Sequence, residues 1–100
     1  MTTLHILNAS PSTATQLKSC LRVVSSGDGI VLCGEAVQAL RAGSVAAQQL
    51  QACERGYRLY ALQEDVQARG IDTATMPVTL LDYPAFVALC VDYARVNSWT

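Results

Sequence analysis

The residues of this 100-residue chain whose chemistry reaches beyond packing and hydrogen bonding are its four cysteines, Cys20, Cys33, Cys53 and Cys90. A cysteine attacks sulfur or binds metal as the thiolate, which forms readily only where positive charge or a helix N-terminus lowers the pKa. No two of the four stand in CxxC spacing, which argues against both a zinc site and a thioredoxin-type couple, so reduced thiols are the default. Cys90 falls in an apolar helical stripe and reads as packing; Cys53, in ACERG near a helix end, reads as a half-exposed thiol. Cys33 closes an apolar run just before a helix start, a position that favours thiolate, but Glu35 opposes it and the structural reading outweighs the reactive one. Cys20, with Gln16, Leu17, Val23 and Val24 as helical neighbours, lies about two turns into its helix and beyond useful reach of the dipole. Nothing local activates it. On the residues alone, Cys20 is buried or at an interface.

The remaining candidates are weaker. His5 is the single histidine, inside an apolar run, so it reads as a hydrogen-bonded core residue, and a metal site lacks ligands. Ser10 and Ser12 have no adjacent base and read as turn and cap residues. Tyr83 and Trp99 either anchor an interface or close the core, and a lone tryptophan near the end of a mostly apolar chain favours the interface.

The elements that must position these groups centre on Tyr57 to Gly70, YRLYALQEDVQARG. Tyr57, Leu59 and Ala61 alternate with Arg58, Tyr60 and Leu62, so both faces are largely apolar, as in a strand covered on both sides. Glu64 to Arg69 predicts a short helix with acids in its first turn, an Asp65/Arg69 pair at i, i+4, and Gly70 as its stop. Gln63, Glu64 and Asp65 then occupy the corner where a nucleotide binder places glycines, and carboxylates there repel phosphate. They are expected to exclude anions or to dock a basic partner.

Upstream, Thr3 to Leu7 predicts a strand ended by the turn Asn8 to Ser12. Leu17, Cys20, Leu21 and Val24 form a helical stripe broken by Ser25 to Gly29. Ile30 to Cys33 is a second strand, followed by short helices over Gly34 to Leu40 and Val45 to Cys53. After the polar link Asp72 to Pro77, Val78 to Leu81 is a fourth strand, and Asp82 opens a helix through about Arg95. Phe86, Val87, Cys90 and Ala94 make its expected buried face. The expected fold is one α/β domain over residues 1–100, a small parallel sheet of about four strands with helices on both faces.

Composition narrows the function. With 51% hydrophobic and 15% charged residues, a folded domain that buries surface against a partner is expected. A net charge of -1 offers no basic face, so direct binding to nucleic acid is not expected. No apolar run approaches a membrane span and no basic-then-apolar leader opens the chain, so a cytosolic protein is expected.

Read whole, the sequence resembles the TusB/DsrH family of small sulfur-relay subunits. Leu4-His5 with Ser10-Pro11, Gly27-Asp28 before Ile30 to Leu32, and Tyr60 to Asp65 leading to Ala68-Arg69-Gly70 carry the resemblance. It continues in Asp82-Tyr83 with Phe86-Val87 and in Ser98-Trp99. The resemblance implies a flavodoxin-like domain without cofactor, in a heterohexamer with TusC/DsrF-like and TusD/DsrE-like subunits, the latter holding the main persulfide cysteine. The sulfur acceptor is a TusE/DsrC-type protein, and the outcome is 2-thiolation of the tRNA wobble uridine or, in the Dsr branch, sulfur oxidation. The competing expectation is a self-associating domain without chemistry. Cys20 matches a cysteine typical of DsrH-like members and so becomes the expected sulfur acceptor, whereas Cys33 matches none. Where relatives often have Asp-Gly after the second strand, this chain has Glu35-Ala36, which is expected to strain any positive φ there.

Overall fold

A computed structural model describes residues 2–12, 15–53, 56–74 and 76–99. The expected helix end beyond Cys53, one residue of the Asp72 to Pro77 link and Thr100 lie outside the described residues. Five parallel strands form one sheet: β1 (Thr3–Leu7), β2 (Gly29–Leu32), β3 (Arg58–Leu62), β4 (Thr79–Leu81) and β5 (Arg95–Ser98). Their order is β4-β3-β2-β1-β5. The helices are α1 (Gln16–Val23), α2 (Val45–Ala52), α3 (Gln63–Ala68) and α4 (Tyr83–Asp92), with a 3-10 helix over Gly34–Leu40.

The double-sided pattern of β3 fixes the layers. Leu59 and Ala61 enter a core with Leu17, Cys20 and Val24 of α1, Ala36 to Leu40 of the 3-10 helix, Leu50 of α2 and Val66 of α3. Tyr60 and Leu62 point the other way, against Leu4, Val31 and Leu81, and only α4 covers them, through Ala85, Phe86, Leu89 and Cys90. One face therefore carries four helical pieces and the other carries one. In the 3-10 helix the buried residues are Ala36 with Ala39 and Val37 with Leu40, pairs three apart that eclipse at three residues per turn.

Local chemistry sets the corners. Ser44 caps α2 by accepting from the Ala47 N–H at 3.0 Å, and Asp82 caps α4 by accepting from Ala85 N–H at 2.9 Å, with Pro84 in the tolerant first turn. Ser10 and Ser12 hydrogen-bond each other at 3.0 Å and cap nothing; α1 starts after Thr15 without a side-chain cap. Gly70 takes φ of 62° and stops α3 as expected. The positive φ after β2 is at Gly34, at 53°, and no described non-glycine residue has positive φ, so Ala36 stands unstrained and buried.

Two expectations are corrected at the C-terminal end. The last helix stops at Asp92 rather than near Arg95, and Arg95 to Ser98 become a fifth strand beside β1. The free edge of β1 supplies hydrogen bonds that helix continuation would forgo: Arg95 N–H donates to Thr2 C=O and Trp99 N–H to Ile6 C=O. As a result Ala94 is exposed and outside the helix, and Val87 points to solvent at 62% exposure; Phe86 and Cys90 alone of the expected set pack inward, half-buried.

Candidate functional site

Cys20 sits on the inward stripe of α1 with none of its surface exposed, between Leu17 and Val24, both buried. Burial pushes its thiol up to about 12, with the charges of Asp28 and Cys53 adding to the rise. At neutral pH the thiolate is then a fraction on the order of one in 10⁵. A sulfur donor meets neither an accessible sulfur atom nor a nucleophile here. Sequence reasoning on neighbours alone pointed this way; the sulfur-acceptor expectation came from the resemblance, and the geometry does not support it.

Cys33 ends β2 half-buried, its Sγ–H donating to the Leu7 carbonyl at 3.3 Å. Its thiol is also raised, by burial first and then by Asp65. The opposing carboxylate is thus Asp65 rather than Glu35, which turns away to Arg69. Cys90 packs under α4 and Cys53 is half-buried at the end of α2. All four thiols are free, and among the described residues no cluster of His, Cys, Asp or Glu is arranged to hold a metal.

At the carboxyl edge of the sheet, where open α/β sheets bind ligands, the corner is closed by carboxylates. Asp65 accepts the Gly34 N–H at 2.8 Å, so the backbone donor that a phosphate would use after β2 is already satisfied. Arg69 donates through Nε and Nη2 to Glu35 Oε1, at 3.0 and 2.7 Å, and its Nη1 lies 3.8 Å from Asp65 Oδ1 as the predicted i, i+4 pair. The Arg69 hydrogen bond and charge hold the Glu35 carboxyl below its usual value. Arg41 donates to the Arg69 carbonyl at 3.2 Å. Glu64 stays exposed, so of the three corner residues Asp65 is spent on architecture. Replacing Asp65 with Ala will cost about 1–2 kcal/mol in urea unfolding and accelerate hydrogen exchange at Gly34, because a part-buried N–H loses a charged acceptor.

On the opposite edge lies an arrangement that the sequence did not disclose. Asp28 is buried just before β2 and accepts from Thr3 N–H at 2.9 Å, from Ser25 N–H at 2.9 Å and from His5 Nε2 at 3.2 Å. The Trp99 indole N–H, which can only donate, points at His5 Nδ1 from 3.1 Å. Nδ1 must therefore present its lone pair, which puts the ring proton on Nε2, facing Asp28. Burial alone would raise the Asp28 carboxyl, but the donors from Ser25, Thr3 and His5 outweigh it and hold the group below its usual value. Trp99 is pinned further by its N–H on Ile6 and by Gln16 Nε2 on its carbonyl at 2.9 Å, and it packs on the larger core. It closes the core; the interface expected for it is not there. His5 is the hydrogen-bonded core residue expected. Asp28 was missed, although it stood in the quoted Gly27-Asp28 pair, because a buried acid is recognised by partners distant in sequence.

The geometry thus offers a rigid, thiol-poor surface with no assembled catalytic set among the described residues, and no helix there long and apolar enough to cross a membrane. Comparison with known proteins gives this fold a family. Residues 9–96 match the family model described as DsrH like protein. Protein TusB of Pectobacterium parmentieri is 37% identical over 97 residues, covering 96% of this chain and 99% of its own, and Protein TusB of Escherichia coli K12 is 33% identical over the same span. Among solved structures, the ychN protein from E. coli superposes with a TM-score of 0.74 at 16% identity, covering 99% of this chain and 100% of its own. A Methanobacterium thermoautotrophicum protein of unknown function gives 0.68 at 18% identity, covering 96% of both chains. These two establish likeness of fold, and the sequence matches establish kinship: the chain belongs to the TusB/DsrH family of sulfur-relay subunits.

Proposed function

We propose that this chain is an auxiliary subunit of a cytosolic sulfur-relay complex, shaping the assembly around a persulfide cysteine that a TusD/DsrE-like partner carries. The observation that carries this reading is the state of the chain's own thiols: Cys20 is wholly buried with its pKa pushed up to about 12, and Cys33 is raised as well. A TusC/DsrF-like subunit completes the complex as a heterohexamer, and a TusE/DsrC-type protein takes the sulfur onward. Relatives named TusB at 33–37% identity favour the tRNA branch, 2-thiolation of the wobble uridine, over sulfur oxidation. With a net charge of -1, the chain leaves tRNA binding to other components.

Two experiments test the parts of this reading separately. Native mass spectrometry of tagged protein from its own cells should find two related chains of similar size in a 2:2:2 complex; self-association alone would overturn the heteromeric reading. Loss of 2-thiouridine from tRNA on deleting the gene supports the tRNA branch, and intact thiolation with impaired sulfur oxidation assigns the Dsr branch instead. For Cys20, alanine in the purified complex should leave sulfur transfer within about twofold while lowering stability by about 1–2 kcal/mol through the small cavity. Transfer abolished in a complex that stays folded would make Cys20 the sulfur carrier that the family resemblance implied.

A further inference from the structure

The sheet face covered only by α4 is incomplete. Not one residue of α4 is fully buried, and Tyr83, Val87 and Val91, spaced i, i+4 and i+8, are 56%, 62% and 81% exposed along one stripe. The helix carries one charged residue, Asp92 at its last position. A helix with one face to solvent normally places charged and polar residues there; a helix apolar all round belongs between two apolar surfaces. Val96 of β5, 47% exposed, extends the patch, because it pairs with Leu4, whose side chain lies in the α4-side core.

We infer that the Tyr83/Val87/Val91 face of α4 is the docking surface for a second copy of this chain, packed antiparallel about a two-fold axis at Val87. Charge and area both favour this occupant. The stripe is neutral, so a basic or acidic partner gains nothing from it, while a second copy brings no like charge against it. An antiparallel pairing sets Val87 against its own equivalent and Tyr83 against the smaller Val91, the self-complementarity that a two-fold interface requires. Ala88, exposed beside the stripe, leaves room for close helix approach. The four exposed apolar side chains offer on the order of 400 Å² per copy, close to the non-polar share of the roughly 800 Å² that each partner contributes to a stable interface.

This inference goes beyond the relay reading and stands or falls without it, since its test needs only the purified full chain. In sedimentation equilibrium from 1 to 100 µM the protein will dimerise, and Val91→Lys or Val87→Lys will weaken the dimer at least tenfold. Thermal unfolding of the Val91→Lys monomer will remain cooperative, because that side chain is already mostly in solvent. A chain that stays monomeric at 100 µM, or lysine variants that dimerise unchanged, would overturn the inference. It is equally overturned if the substitutions spare self-association and instead release sister subunits from the native complex, which would give the face to a different partner while leaving the relay assembly intact.

Discussion

Replacing Asp28 with Asn will lower the unfolding free energy at pH 7 by about 2–3 kcal/mol, the scale of charged hydrogen bonds lost in a buried site, and the deficit will shrink as the pH falls below about 4. The carboxylate accepts three donors: Thr3 N–H on Oδ1, and Ser25 N–H and His5 Nε2 on Oδ2. An asparagine has one accepting oxygen. Kept on the Thr3 side, it turns its NH₂ against two donors; flipped, it turns against the Thr3 N–H. The pH dependence follows from the sign of the shift. The folded-state pKa of Asp28 is depressed, so its contribution is fully present above the ordinary carboxylate value of 3.8 and is lost as pH falls through the lower folded value. Wild type and variant should therefore converge at acid pH. Trp99, the single tryptophan, is bonded to this cluster through His5 and gives a fluorescence signal for both curves. A deficit that stays constant from pH 7 to 3 would show that Asp28 acts through packing rather than as a charged acceptor.

How far the sequence discloses this protein depends on the range of the interaction concerned. The alternation in Tyr57 to Leu62 is local, and its two faces entered the two cores as expected, with Leu59 and Ala61 on one side and Tyr60 and Leu62 on the other. The α1 stripe around Cys20 and the Asp65/Arg69 pair were legible for the same reason. The fifth strand was not, because Arg95 to Ser98 become a strand only by meeting the edge of β1, some ninety residues earlier in the chain. Trp99 reaches His5 across a separation of 94 residues and His5 reaches Asp28 across 23, so their types were visible and their meeting was not. Cys33 shows an intermediate case. The prediction that a carboxylate opposes its thiolate held, but the sequence neighbour Glu35 is drawn off by Arg69, and Asp65 from another corner takes its place.

Glycine at position 29 will prove as sensitive as the Asp28 cluster, although its backbone is ordinary strand and accepts any residue. A Cβ added there would stand 2.5 Å from the Tyr93 hydroxyl, 2.9 Å from Tyr93 Cζ and 2.9 Å from Leu4 Cδ1. Leu4 has no exposed surface and cannot recede, so Tyr93 must move. Its hydroxyl lies 3.5 Å from that of Tyr60, and burial first, then the Tyr60 hydrogen bond, pushes its own pKa up to about 12, which marks a confined group. Gly29→Ala should thus cost about 1–3 kcal/mol by overpacking. Tyr93 is also where α4 gives way to β5, so its displacement will loosen the strand that seats Trp99, and the fluorescence of the folded state should shift towards that of exposed indole. The double variant Gly29→Ala with Tyr93→Leu provides the decisive comparison, since truncating the phenol removes the obstacle that the new methyl meets. If the pair is no less stable than Tyr93→Leu alone, the cost of alanine lies in this contact; if alanine costs the same in both backgrounds, the strand itself resists the side chain and the account fails.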